Sequence, residues 1–235
     1  GNNHPRVASS RSTLGNILNH LGEASQAIEL LTMALESNIQ NFGEHSFIVA
    51  QDLSNLADLL RKNGKPDEAA ELYAKSLDIN LLIYQPNHPF IAQGRSNLAV
   101  GYRAIGKLKE AKELLESALK SDINSFGEDH PNVARRQANL AMVFSDLGKD
   151  DLAMEIMEKA LKNIEQNHGR EHHEFAVNIW NRGIIFFRQR VYSQAKVDFE
   201  KALKIIEKTQ GMNHPHYAAI VSWLDAVNEK LGASS

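Results

Sequence analysis

The residues of this chain best suited to chemistry are histidines set beside loops. His4, His88, His130 and His214 are each followed by proline, and His172 is followed by His173. An imidazole titrates near neutrality and is a common metal ligand, so a recurring His-Pro pair could mark proton transfer or metal binding. The pairs recur every 42 residues. Repeats stacked at a helix-packing distance of about 8 to 10 Å cannot converge on one ion whose ligand nitrogens lie about 2.0 to 2.1 Å away. The ladder therefore reads as architecture. A denser cluster, Glu165, His168, Glu171, His172, His173 and Glu174, has ligand types that suit zinc or nickel. Gly169 interrupts it and it joins two repeats, so it reads as a solvated polar loop, and neither a metal nor a cofactor is expected.

Other catalytic signatures are missing. Gly64-Lys65, Gly106-Lys107 and Gly148-Lys149 lack the G-x-x-x-x-G-K-[ST] frame of a phosphate loop and fall at turns. No G-x-S-x-G or H-E-x-x-H motif occurs, and no carboxylate pair is placed by pattern for general acid-base work. With no cysteine, thiol nucleophiles, disulfides and cysteine-ligated zinc are excluded. The chain is not expected to be an enzyme.

At 235 residues, 43% hydrophobic and a formal net charge of -3, the composition is that of a folding chain without a basic field for nucleic acid or anionic membrane. The apolar residues form short periodic groups, with no run of about 18 to span a bilayer. We expect a soluble, cytoplasmic protein with no nucleic-acid or membrane partner. A chain that opens on a repeat boundary is expected to be part of a longer protein.

The architecture lies in the 42-residue period. From His130 its steps reach His4, Ser46, His88, His172 and His214, and three and four residues later come pairs such as Val49-Ala50, Ile91-Ala92 and Val133-Ala134. Asn55-Leu56-Ala57, Asn97-Leu98-Ala99 and Asn139-Leu140-Ala141 keep the same phase, as do Gly22, Gly64, Gly106, Gly148 and Gly232. A fixed period of this size is the signature of a solenoid. Between His-Pro and glycine, Val133, Leu140, Ala141, Phe144 and Leu147 follow helical spacing (helix A). Past the glycine, Leu108, Ala111, Leu115, Ala118 and Leu119 do so again (helix B). Proline suits the first helical position and glycine the left-handed residue that ends a helix, so His-Pro and Gly-Lys punctuate an all-α chain of antiparallel helix pairs. Five units are expected at about 4–45, 46–87, 88–129, 130–171 and 172–213, with a terminal helix at 214–232, all within one repeat domain, 1–235. Ser46-Phe47, His173, Arg182 and Arg190-Val191 depart from the pattern.

Leucine then a small residue on helix A, an aromatic at Tyr102, Phe144 or Phe186, and alanine on helix B resemble the tetratricopeptide repeat. The 42-residue length, with HPxVA, NLA and GK, resembles the kinesin light chain family over almost the whole chain. That resemblance implies a right-handed superhelix that holds extended or helical peptides on its concave helix A face. Carried onto this sequence, it places Asn55, Asn97, Asn139 and Asn181 in the groove, with Arg61, Arg103, Arg135 and Arg188 nearby, opposed by Asp58 and Asp146. Asparagine can both donate to and accept from a peptide backbone, and arginine matches carboxylates, so an acidic or amphipathic peptide is expected. Toward the C-terminus the face turns apolar at Met142, Trp180, Ile184 and Phe187, which implies a pocket for a hydrophobic anchor or a surface covered by a further helix or a second copy. The expected function is thus a protein-interaction module for a peptide of a partner protein. The competing expectation is a self-associating scaffold or regulatory segment, monomeric or weakly homodimeric through that apolar face.

Overall fold

A computed structural model describes residues 4–233; Gly1, Asn2, Asn3, Ser234 and Ser235, part of the expected 1–235 domain, lie outside the described residues. Eleven helices and no strand occur among those described. They are α1 (Pro5–His20), α2 (Ala24–Phe42), α3 (Phe47–Lys62), α4 (Pro66–Ile83), α5 (Pro89–Ala104), α6 (Leu108–Phe126), α7 (Pro131–Asp146), α8 (Asp150–His168), α9 (His173–Arg188), α10 (Tyr192–Gln210) and α11 (Pro215–Gly232). Each falls in phase with the repeat. The chain divides into two compact units, one ending at Ser121 and the other beginning at Asp122. None of the described helices is long and apolar enough to cross a membrane.

The histidines cap helices. Nδ1 of His4, His88, His130, His172 and His214 accepts the backbone N–H two residues on, at 3.1 to 3.3 Å. Ser46, which breaks the His-Pro pattern, does the same work by accepting from the Val49 N–H at 3.4 Å. These bonds satisfy N–H groups that the first helical turn cannot pair within itself. Three of these cap rings also stack on an aromatic residue at or just past the end of the preceding helix B. Tyr84 and His88 have centroids 4.1 Å apart, Phe126 and His130 4.3 Å, and His168 and His172 4.7 Å.

Within a repeat the turn closes by one hydrogen bond, as from the Lys65 N–H to the Leu60 carbonyl (3.0 Å) and from Lys149 to Phe144 (2.9 Å). Gly64 and Gly148 bear the positive φ that this requires, 78° and 72°. In the fifth repeat Arg190 holds that conformation at φ 62°, and the closing bond from Val191 to Phe186 survives at 2.8 Å.

Packing in the first unit centres on Leu31, Val49, Leu53, Leu56, Tyr73, Leu77 and Ile91. In the second it rests on Val133, Met157, Ile179, Phe199, Ile206 and Ile220, all at most 1% exposed. Small residues let paired helices approach. A Cβ on Gly183 would fall 2.5 Å from the Phe199 ring, so glycine stands there where Ala57, Ala99 and Ala141 stand in other repeats.

The Arg182 departure has a matching one across the hairpin. Other repeats pair Leu56 with Leu72, Leu98 with Leu114 and Leu140 with Ile156 at these positions; the fifth pairs Arg182 with Asp198. Nε and one terminal nitrogen of Arg182 donate to the two Asp198 oxygens at 2.7 Å each, and the other terminal nitrogen reaches Glu158 at 2.8 Å. The hydrogen bond to Asp198 holds the guanidinium above its usual range despite burial.

Two stability outcomes follow. Breaking a buried ion pair by removing one partner costs roughly 3 to 5 kcal/mol, while replacing both by apolar residues is often neutral or stabilising. With Arg182 still 24% exposed, Asp198→Leu alone is expected to cost about 2 to 4 kcal/mol, and Arg182→Leu with Asp198→Leu to return to parental stability or better. Urea titration of the three variants checks the cycle. Arg190→Gly removes a left-handed penalty of about 1 to 2 kcal/mol and adds unfolded-chain entropy of roughly 0.5 to 1 kcal/mol, so a net gain of about 0 to 1.5 kcal/mol should appear in the same titration. A loss on Arg190→Gly would show that the side chain, not the turn, sets the balance.

Candidate functional site

Two clefts on helix A faces bring the expected asparagines together in pairs, one in each unit. In the first, Gln51, Ser54 and Asn55 of α3 face Gln93 and Asn97 of α5 across a cavity of about 280 Å³, with Asn80 of α4 in its wall. In the second, Arg135 and Asn139 of α7 face Glu174, Asn178 and Asn181 of α9 across about 250 Å³, with Ile164 of α8 behind. The second repeats the first at an offset of two repeats: Asn139 and Asn181 correspond to Asn55 and Asn97, Arg135 to Gln51, and Ile164 to Asn80. The four asparagines are half-buried. Asn55, Asn97 and Asn139 are each followed by a leucine-alanine pair whose side chains enter the hairpin core and leave the asparagine at its edge; Asn181 is followed by Arg182 and Gly183 instead.

The two clefts differ in charge. The first is lined mainly by neutral dipoles; Gln93 Nε2 donates to Asn97 Oδ1 at 2.6 Å. Asp58 at its end accepts from the Tyr73 hydroxyl, and burial followed by that carboxylate pushes the Tyr73 phenol well up. In the second cleft Arg135 lies 3.5 Å from Glu174 Oε1, and the other Glu174 oxygen lies 3.2 Å from His168 Nε2. Each cleft wall also holds one amide more than nine-tenths buried, Asn80 or Asn178, whose Oδ1 has no hydrogen-bond partner among the described residues.

The arginines expected to give the groove a positive balance are matched inside the chain. Arg61 lies 3.8 Å from Asp58. Arg188 donates to Asp146 at 2.6 Å and to the Ser145 hydroxyl at 2.8 Å, outside either cleft. Arg103, half-buried on α5, also lies outside the clefts. Only Arg135 of the expected arginines lines one. The apolar stretch is largely an internal contact. Met142 and Ile184 are buried, and Phe187 packs edge-on against Trp223 and Tyr192 at 5.3 Å each. Trp180 packs on His216 at 5.6 Å. The terminal helix α11 packs here through Trp223, and its own Ile220 and Val227 are fully buried.

Sequence reading passed over Gln51 and Gln93, although each stands four residues before an asparagine and so on the same helix face. Asn80 and Asn178 carried no signal, because helix B position 80 and helix A position 178 become neighbours of the clefts only on folding. At the histidine cluster, His168, His172 and Glu174 come together, with one donor atom from each within 4.8 Å of the others. Glu165 is tied to Arg170 and Glu171 to Lys208.

Family models described as tetratricopeptide repeat match residues 7–47, 48–124 and 90–166. No curated protein matches the sequence significantly. Among solved structures, a Podosopora anserina putative kinesin light chain with nearly identical TPR-like repeats is 23% identical, covering 88% of this chain and 98% of that one at a TM-score of 0.66. BtubC (BKLC) from P. vanneervenii is 25% identical over 91% and 84%, at 0.64. Pseudomonas aeruginosa pilF is 18% identical over 97% of each chain, at 0.56.

Because α11 covers the apolar end of the second unit, deleting residues 212–235 should expose Phe187, Phe199 and Ile206. A lower melting temperature and aggregation on light scattering are expected. A truncated chain as stable and soluble as the parent would show that α11 is not a cap.

Proposed function

The chain belongs to the tetratricopeptide repeat family, whose repeats generally mediate protein–protein interaction as non-enzymatic scaffolds, and on that premise we propose that its two amide-lined clefts bind peptide segments of partner proteins. The observation that carries this reading is the recurrence of one constellation in both units. Paired asparagines stand on successive A helices, over a cavity, at the same repeat positions. An amide offers a donor and an acceptor to a main chain that would otherwise lose its hydrogen bonds to water. Asn80 and Asn178 add buried acceptors that a bound N–H reaches on a small side-chain rotation, relieving the cost of an unpartnered oxygen.

Charge refines the reading. An acidic side chain is best accommodated in the second cleft, at Arg135, since its pairing with Glu174 is long and both side chains are partly exposed, at 48% and 30%. Exposed pairs of this kind contribute about 0 to 1 kcal/mol, so an incoming carboxylate displaces Glu174 at little cost. The first cleft offers amides instead and reads main chain with little regard to charge.

The test is capture of partners on immobilised full chain, followed by titration with the peptide mapped from whatever is captured. Asn55→Ala with Asn97→Ala, or Asn139→Ala with Asn181→Ala, should weaken the affected cleft at least tenfold, which corresponds to about 1.4 kcal/mol. Helicity should stay unchanged. Arg135→Glu should weaken an acidic peptide in particular, and its binding should fall as salt rises from about 0.05 to 0.5 M. Lys112→Glu, on helix B and paired only with Glu116 among the described ion pairs, is the control. Equal affinity in both asparagine variants, with binding lost in the Lys112 variant, would refute the cleft assignment.

A further inference from the structure

The repeats act as one another's controls, and three departures meet at one place, the junction of the fourth and fifth repeats. Helix B ends at Phe42, just before Tyr84, and at Phe126 in the first three repeats, but at His168 in the fourth. Proline opens helix A at Pro89, Pro131 and Pro215, but the residue is His173 here. The next position holds Ile48, Phe90 and Asn132 elsewhere, and Glu174 here. Any aromatic ring would stack on the cap histidine as Phe126 stacks on His130. A histidine adds a nitrogen, and it lies beside a carboxylate: His168 Nε2 is 3.2 Å from Glu174 Oε2. Two ligands of a tetrahedral zinc ion with bonds of about 2.0 Å stand about 3.3 Å apart.

We propose that His168, His172 and Glu174, where α8 gives way to α9, form a site for a divalent transition ion of the zinc type, with solvent completing the coordination. Two imidazoles and one carboxylate make a borderline donor set suited to zinc and its neighbours, while magnesium and calcium select oxygen ligands. The three donor atoms already lie within 4.8 Å of one another. Glu174 keeps its other oxygen on Arg135, which orients the carboxylate. Burial, followed by the nearby His173 and His168, lowers the pKa of His172.

Closure has one structural consequence. The His168 and His172 rings are inclined by only 19°, so their in-plane lone pairs run nearly side by side, and the His172 ring must turn to converge on the ion. Its Nδ1 now accepts the Glu174 N–H at 3.3 Å. A neutral imidazole has a single lone pair. If Nδ1 binds the ion that lone pair is taken, and if Nε2 binds it Nδ1 must carry the proton. Either way, ion binding and the α9 cap exclude each other, so the ion ties α8 to α9 while freeing the Glu174 N–H.

Calorimetric titration of zinc chloride into the untagged, chelator-stripped full chain tests this. One zinc per chain is expected, with at least tenfold weaker binding in His168→Phe and in Glu174→Gln. His168→Phe supplies the ring that Phe126 supplies and should retain the far-UV spectrum. His88→Ala, a cap histidine in the other unit, should bind zinc as the parent does. Zinc should also speed hydrogen exchange at the Glu174 amide, an effect a casual surface ion would not produce. The proposal is overturned if the parent shows no saturable zinc binding, if folded His168→Phe binds zinc with parental affinity, or if magnesium binds as tightly.

Discussion

A helix hairpin of this sequence has apolar side chains on more than one face, and only the hairpin beside it can bury what its own two helices leave open. Everything else in the fold answers to that constraint. Ala27, Ala57, Ala69, Ala99, Ala141 and Ala153 are fully buried, and such small side chains bring paired helices close enough for larger ones to interlock. The caps and turns then fix where each helix starts and stops, so that the apolar positions of one repeat arrive in register with those of the next. A helix starting one residue late would rotate its face by about a quarter turn. The stacked cap histidines of the third, fourth and fifth repeats tie each start to the end of the helix before it.

Hairpins with the same outline need a further means of telling neighbours apart, and the polar residues buried at the junctions provide one. At one junction Asn38 donates to Asp52 at 2.6 Å; at the equivalent positions two repeats later Arg136 donates to Asp122 at 3.0 Å, both side chains 1% exposed. The equivalent pair at the last junction is Ile206 and Ile220, fully buried. Burial pushes the Asp52 and Asp122 carboxyls up, opposed by Asn38 in one case and by Arg136 in the other. A hairpin docked on the wrong neighbour would leave one of these groups against an aliphatic side chain, and a buried charge stripped of its partner is among the costliest local errors a fold can make. Specificity of order thus rests on a few polar pairs, while cohesion rests on the apolar contacts around them.

The fold was legible because periodicity, cap and turn are local properties. Ser46 looked like a departure only because it was compared by residue type; by role it is as good a cap as histidine. Arg182 was visible as an exception, but its compensating partner was not, since Asp198 lies sixteen residues on at a position that is otherwise aliphatic. The asparagines of the clefts were legible for the same reason as the helices, being in phase. The charges were not. Arg135 finds Glu174 and Arg188 finds Asp146 across 39 and 42 residues, and no spacing rule says which of several carboxylates a flexible guanidinium reaches. Ile184 and Phe187 looked available because the helix that buries them, with Trp223 at its centre, comes some forty residues later.

These distinctions bear on how such a scaffold acquires selectivity. The second position of the helix A face is Gln51, Gln93, Arg135 and Val177 in successive repeats, yet the Cα–Cβ directions there are set by the helix and hardly change. Substitution at that position alters the charge and hydrogen-bonding character of a cleft without disturbing the alanine contacts behind it, because the side chain points away from the hairpin core. The asparagines four residues on keep the capacity to pair with a main chain common to every peptide. Affinity for an extended segment and preference among segments are therefore carried by different positions one helical turn apart, and the second can diverge between the two units while the first stays the same.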